Sequence, residues 1–281
     1  MKTAPRFFAL LVSLVAAFPL TAAESSTVAP SPARLGSKIF RWEDLTVKPS
    51  SVGERRDVCD QPTATLARFE SHVTTLNPGK ISHPPHKHPQ EEFIILKEGT
   101  VDVSINGQVQ RAGPGSLFFF ASNDLHNLAC VGDKPATYIV FNVTTGATAA
   151  APAEGAAKAA LPGRLSSRVV DWQRLEAKPT KTGERREVVN SPTVTCANLE
   201  CHVTTLKPGE IPHAPHRHAD EEIVIVKEGV MEATINGVSQ RGGPGSIFFY
   251  GSNDEHGMKN VGGTTATYHV VRIVTDATPK A

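Results

Sequence analysis

An excess of charge of either sign is almost absent: 29 Lys and Arg stand against 28 Asp and Glu, a formal net charge of +1. So even a balance gives no field for gathering polyanions, and it excludes nucleic acid and anionic membrane as partners read from charge. Long apolar runs are also missing. The run from Phe7 to Leu20 holds about 14 residues and contains Pro19, short of the roughly 20 that a spanning helix needs. It follows Lys2 and Arg6 and precedes the small residues Thr21-Ala22-Ala23, which is the pattern of a cleaved export leader over residues 1–23. The expected product is secreted or periplasmic, with no membrane association after cleavage. Cysteine is scarce at four residues, yet export permits disulfides. Cys196 and Cys201 would face opposite sides of one strand and pair poorly. Cys59 with Cys130 is the better pair, and four small buried side chains are the equal alternative.

What is present is an ordinary globular composition, 40% hydrophobic and 20% charged, in a chain of 281 residues with room for two domains. An internal repeat at a fixed offset of 130 residues dominates it, through Trp42/Trp172, Gly53/Gly183, His72/His202, Gly99/Gly229 and Tyr138/Tyr268. Without insertion or deletion the offset holds from Ser37/Ser167 to Thr145/Thr275, so one unit is written twice. The expected organisation is a lead-in at 24–36 without order, a first domain at 37–146, an Ala/Pro/Gly linker at 147–165 with nothing to bury, a second domain at 166–276 and a tail at 277–281. Each unit alternates short strands with turn residues. Asn106-Gly107 and Asn236-Gly237 mark tight hairpins, and Pro78-Gly79, Pro114-Gly115, Pro208-Gly209 and Pro244-Gly245 punctuate the rest. No helical period is sustained within a unit. The fold class is therefore all-β, a sandwich or barrel in each half.

Ten of the eleven histidines form five pairs at the offset: His72/His202, His83/His213, His86/His216, His88/His218 and His126/His256, leaving His269 alone. His86 and His88 are two apart and leave the same face of a strand, so both imidazoles reach one ion, and Glu92 shares their parity. His126 follows the turn at 122–125 and reaches them only if the sheet closes. His83 and His213 have the opposite parity and sit among prolines; a rim position suits them to acid-base work, with a loop histidine bonded to backbone as the plain alternative. Glu70-Ser71-His72-Val73-Thr74 and Glu200-Cys201-His202-Val203-Thr204 alternate, so Glu, His and Thr share a face that lines a cavity or an interface. Glu91 and Glu221 point away from the ligand face. The runs Phe118 to Phe120 and Ile247 to Tyr250 read as core strands.

His86-Lys87-His88, Glu92 and Gly99 fit HxH-x3-E-x6-G, and His216-Arg217-His218, Glu222 and Gly229 repeat it. The chain thereby resembles the cupins, and as a tandem of two, the bicupins. The second cupin motif is looser: His256 and Asn260 keep its end, Cys130 replaces the Asn in the first copy, and Asn123 and Asn253 stand at its glycine, where φ > 0 is tolerated. The resemblance implies a double-stranded β-helix (jelly-roll) barrel in each half. It also implies metal ligands His86, His88, Glu92 and His126, then His216, His218, Glu222 and His256. Three imidazoles and one carboxylate suit several divalent transition metals; the resemblance favours Mn or Fe, up to two per chain. It further implies a small-molecule substrate and dioxygenase- or oxalate-decarboxylase-like chemistry, and it is compatible with a homo-oligomer. A lid glutamate and cavity arginine of the oxalate type are not evident. A non-catalytic binding or sensing cupin, a sugar isomerase and a ureide aminohydrolase stay open.

Overall fold

The computed structural model describes residues 1–2, 33–159 and 161–280; residues 3–32, which hold the leader's apolar run and most of the lead-in, lie outside them. The first repeat supplies β1 (Lys38–Phe40), β2 (Lys48–Ser50), β3 (Gly53–Gln61), β4 (Arg68–Leu76), β5 (Glu91–Glu98), β6 (Val101–Ile105), β7 (Gln108–Ala112), β8 (Leu117–Phe120), β9 (His126–Cys130) and β10 (Ala136–Thr144). The second supplies β11 (Arg168–Val170), β12 (Lys178–Pro179), β13 (Gly183–Ser191), β14 (Asn198–Leu206), β15 (Glu221–Glu228), β16 (Met231–Ile235), β17 (Val238–Gly242), β18 (Ile247–Tyr250), β19 (His256–Asn260) and β20 (Ala266–Val274). Turn chemistry accounts for the hairpins: Asn106 and Gly107 have φ of 49° and 83°, the doubly left-handed pair that a two-residue loop requires.

Each barrel opposes a seven-stranded sheet to a three-stranded one, in the orders β11-β8-β5-β10-β4-β3-β2 with β7-β6-β9, and β1-β18-β15-β20-β14-β13-β12 with β17-β16-β19. Ile94, Leu96, Val103, Phe118, Leu128 and Val140 fill the first barrel. Their strand neighbours Phe93, Ile95, Phe119 and Phe141 face the other way, into a core shared with Leu199, Ile223, Phe249 and Val271 of the second repeat. Both faces of β5 are thus covered, which is why Phe93 to Leu96 is a continuous apolar run and not an alternating one.

The repeats exchange their first strands. β1 pairs with β18 of the second barrel, and β11 pairs with β8 of the first. Ser37 Oγ donates to Asp254 Oδ2 at 2.5 Å and Ser167 Oγ to Asp124 Oδ2 at 2.6 Å, so each arm is bonded beside the other barrel's third histidine. Behind each arm an indole is packed by cations, Trp42 by Arg56 and Lys97, Trp172 by Arg186 and Lys227.

Glu91 and Glu221 do point away from the histidines, into the contact between barrels. Glu91 is fully buried and accepts from the Thr193 and Thr195 hydroxyls (2.5 and 2.7 Å) and the Val194 amide (2.9 Å) of the second repeat. Glu221 accepts in the same way from Thr63, Thr65 and the Ala64 amide. Burial raises both carboxyls above the usual range, and the donors only partly offset it.

Two expectations need correction. The stretch 147–165 has something to bury: Ala156 and Leu165 are in the core, and a short helix at Ala156–Ala159 lies on the turn before His126, with the Ala156 amide on Ser122 O and the Ala157 amide on Asp124 Oδ1. Small side chains let this backbone approach the turn closely. The Cys59–Cys130 pair does not form, and all four cysteines are free. Cys59 packs on the core between the barrels while Cys130 lies inside the first barrel, its thiol directed to Lys134 O.

His269, the histidine without a counterpart, is fully buried where Ile139 stands in the other repeat, and its Nε2 donates to Gly115 O of the first barrel at 2.9 Å. Burial lowers it to about 4. Folded chains therefore hold it neutral, so its share of stability is complete above the unfolded value near 6.5 and is lost as pH falls from there towards 4. The loss amounts to about 3 kcal/mol. His269→Ile is expected to flatten the acid limb of the stability profile, measured as denaturant midpoints between pH 7 and pH 4.5; an unchanged limb would disprove the assignment.

Candidate metal centres

The HxH segments are loops, held to the barrel by single bridges. His86 N donates to His126 O (3.2 Å) and His126 N to His86 O (2.9 Å), and His216 pairs with His256 likewise. The turn before the third histidine reinforces this: Asn123 adopts φ 59° and its amide donates to His88 O, with Asn253 and His218 as counterparts. Gly99, at φ 83°, is required by a close approach, since a Cβ there would lie 2.5 Å from Ala136 Cα.

These contacts bring His86, His88 and His126 together, and equally His216, His218 and His256, with ligating atoms of each trio within 4.8 Å of one another. Glu92 joins the first trio at 3.3 Å from His88 Nε2, and Glu222 the second at 3.3 Å from His218 Nε2. The tautomers follow from the backbone. Nδ1 of His88 donates to Gln90 O (3.0 Å) and Nδ1 of His126 to Asp124 O (2.8 Å), so both Nε2 atoms turn inward, that of His126 with its lone pair free and that of His88 towards the Glu92 carboxylate. Among the described residues, His126 Nε2 and His256 Nε2 are buried without a hydrogen-bond partner. A buried lone pair without a donor is costly, and a cation bound within each trio would remove that cost. The donors therefore fit a divalent transition metal.

Burial favours the neutral, ligating form of most of the imidazoles, whereas the carboxylates beside His88 and His218 raise those two against their burial. Burial lowers His126 to about 4, and it also lowers His86 and His256. For Glu92 burial works against ionisation, yet the bond from His88 and the nearby His126 hold it below the usual range. His126 is further fixed by Phe120, stacked at 4.2 Å and 9°, as His256 is by Tyr250 at 4.3 Å and 9°. These aromatics are core residues that also orient a ring.

His86, His88 and Glu92 line a cavity of about 510 Å³ in the first barrel, and His216, Glu222 and His256 one of about 340 Å³ in the second. Glu70, His72 and Thr74 line the first, so their shared face looks onto the cavity. His83 and His213 also reach these walls. They are exposed, their Nδ1 atoms lie 3.1 Å from Pro84 O and Ala214 O, and their rings stand 3.8 and 4.4 Å from those of His86 and His216.

One pair of residues escaped the sequence reading. Arg272 lines the second cavity and makes a two-pronged bond to Asp220, 2.6 and 2.9 Å. Burial opposes ionisation of Asp220, but His218 and Arg272 hold it well below the carboxylate range. Asp220 and Glu222 in turn raise His218, against its burial, to about 9. The first barrel has Gln90 and Asn142 at these positions, and that double exchange across the offset was the available signal.

The cupin domain model matches twice, over residues 72–142 and 202–272, together half of the chain. The chain belongs to the cupin family. Solved cupin structures similar to it include a mutant of the Bacillus subtilis oxalate decarboxylase, at 15% identity and a TM-score of 0.62, over 87% of this chain and 79% of that one. AerE from Microcystis aeruginosa is similar at 16% identity and a TM-score of 0.60, over 82% and 98%. At these identities the likeness is one of fold. Proteins named L-ectoine synthase from Bordetella parapertussis and Bordetella bronchiseptica are 34% identical over 76 residues, 26% of this chain. The bicupin spans 57% of the length of those relatives.

Proposed function

We propose that this bicupin is an exported, metal-dependent enzyme that acts on a small oxygenated organic substrate by dioxygenase- or decarboxylase-type chemistry. The observation that carries the reading is the pair of buried, unpartnered nitrogens, His126 Nε2 and His256 Nε2, each converging with two further imidazoles beside an open cavity. His86, His88, Glu92 and His126 would hold one ion and His216, His218, Glu222 and His256 a second. Mn or Fe suits such a set of nitrogen and oxygen donors without thiolate. A bound ion of this kind supplies Lewis acidity and open coordination positions.

The chain's own side chains supply the remainder. Ile94, Leu128 and Val140 give the first cavity an apolar wall that excludes water, while Arg55, Gln90 and Asn142 offer donors that orient oxygen atoms of a substrate. His83 and His213, at the rim, are placed to exchange protons with solvent. A second reading, a synthase, is favoured by the local similarity to proteins named L-ectoine synthase.

Protein purified without a His tag after growth with Mn or Fe is expected to carry about two metal equivalents, and less than about 0.2 equivalents would sink the reading. Oxygen uptake with formate or CO2 release, over dicarboxylates, catechols and sugars, then separates dioxygenase from decarboxylase. Turnover without oxygen uptake or CO2 release would favour the second reading. Recovery from outside the cytoplasm with Glu24 as the first residue tests export.

A further inference from the structure

The first cavity has a second chemically equipped wall, opposite in sequence to the HxH loop and built on β4. There His72 Nδ1 lies 2.7 Å from Glu70 Oε1. The same carboxylate is held by two further donors, Arg55 Nη2 on Oε1 at 3.1 Å and Asn142 Nδ2 on Oε2 at 2.9 Å. Its charge is thus fixed: burial opposes ionisation, and His72, Asn142 and Arg55 together keep Glu70 below the usual range. A carboxylate so anchored makes Nδ1 of His72 the protonated nitrogen and leaves Nε2 with its lone pair. Among the described residues no group bonds that nitrogen, and the ring lines the cavity. Register places this wall against the metal site, since Asn142 on β10 pairs with Glu70 on one side and with Glu92 on the other.

We propose that His72 is the proton-transferring residue of the first cavity, with Glu70 as its positioning residue. The inference rests on the enzymatic reading above. In it, His72 Nε2 takes a proton from a substrate oxygen or carbon. The imidazolium formed is balanced by the Glu70 carboxylate, and the proton returns to the product, so the residue ends the cycle as it began. The substrate class this implies is one with an ionisable O–H or an acidic C–H, such as a hydroxy acid or an enol.

The second barrel repeats the dyad with a difference. His202 Nδ1 lies 2.6 Å from Glu200 Oε1, but Arg272, at the Asn142 position, turns to Asp220, and Glu200 Oε2 is buried with no donor among the described residues. Its carboxylate is held on one oxygen only. The fully anchored dyad belongs to the first barrel, and so does the assigned role.

The test uses the metal-loaded full chain and has an arm that needs no turnover. Diethyl pyrocarbonate acylates accessible, unprotonated imidazole nitrogens, and peptide mapping reports each histidine. His72 is expected to be labelled while His86, His88 and His126 are protected by metal, and Glu70→Gln is expected to slow labelling of His72 about tenfold. A His72 that stays unlabelled while His83 reacts overturns the proposal. On a substrate that turns over, His72→Gln is expected to lower kcat by about 100-fold or more with KM and metal content unchanged. Glu70→Gln should lower kcat in the same direction, again without moving KM. Retention of kcat by His72→Gln overturns the proposal. A silent substrate panel bears on the enzymatic reading alone, because labelling still reports on the dyad.

Discussion

His126→Ala is expected to empty the first metal site and leave the second filled, so that bound metal falls from about two equivalents to about one. Its Nε2 is buried and turned inward and, among the described residues, has no hydrogen-bond partner. Losing a donor that faces the ion directly should weaken binding by more than the 10–100-fold typical of a group that only orients a ligand, roughly 1000-fold or more. His256→Ala should empty the other site to the same degree. The two losses should add, since the sites lie in separate barrels. Metal analysis after gel filtration reads the result directly. If both variants keep two equivalents, the histidine trios are not the metal sites and the functional reading fails with them.

The other large effect is on folding. Glu91→Ala removes the one acceptor that satisfies the Thr193 and Thr195 hydroxyls and the Val194 amide inside the contact between barrels. Unsatisfied buried donors cost about 1–3 kcal/mol each, and two rotatable hydroxyls recover part of that. The expected net loss is about 3 kcal/mol, and with it a fall in Tm of about 6–12 °C. Glu91→Gln keeps the shape and one acceptor oxygen, and its raised native carboxyl means that little is lost with the charge. It should stay within about 1 kcal/mol of the parent protein. Alanine as stable as the parent would show that the clamp contributes nothing.

Much of this was legible in the sequence, for a definite reason. Histidines two apart, a glutamate four further and a glycine beyond form a spacing that duplication at a fixed offset lifts above chance, although His86 and His88 lie on a loop and not on the strand whose parity was expected to align them. Gly99 and Asn123 fall where backbone geometry demands them. The continuous apolar run at Phe93 to Leu96 shows a strand buried on both faces. What covers its second face is not a local property, and the core between barrels appears only with the fold.

The strand exchange was hidden by the repeat itself. When two segments are alike, no pattern says whether β1 returns to its own barrel or crosses to its neighbour. The roles of Glu91 and Glu221 were hidden for the same reason, because their partners lie in the other copy. Arg272 and Asp220 were visible as departures from the repeat, though only a shared cavity gives the two changes a common meaning.

The exchange of first strands also bears on how such a molecule can diverge. One repeat on its own has an arm with nowhere to dock and a groove with nothing in it, and two identical repeats meet both needs by facing each other across a two-fold axis. A pair of separate single-barrel chains could build the same joint, but every residue would then occur in both halves. Tethering the halves through 147–165 lifts that restriction. Asn142 against Arg272, Ile139 against His269 and Phe120 against Tyr250 are differences that symmetry would forbid and that one continuous chain can keep.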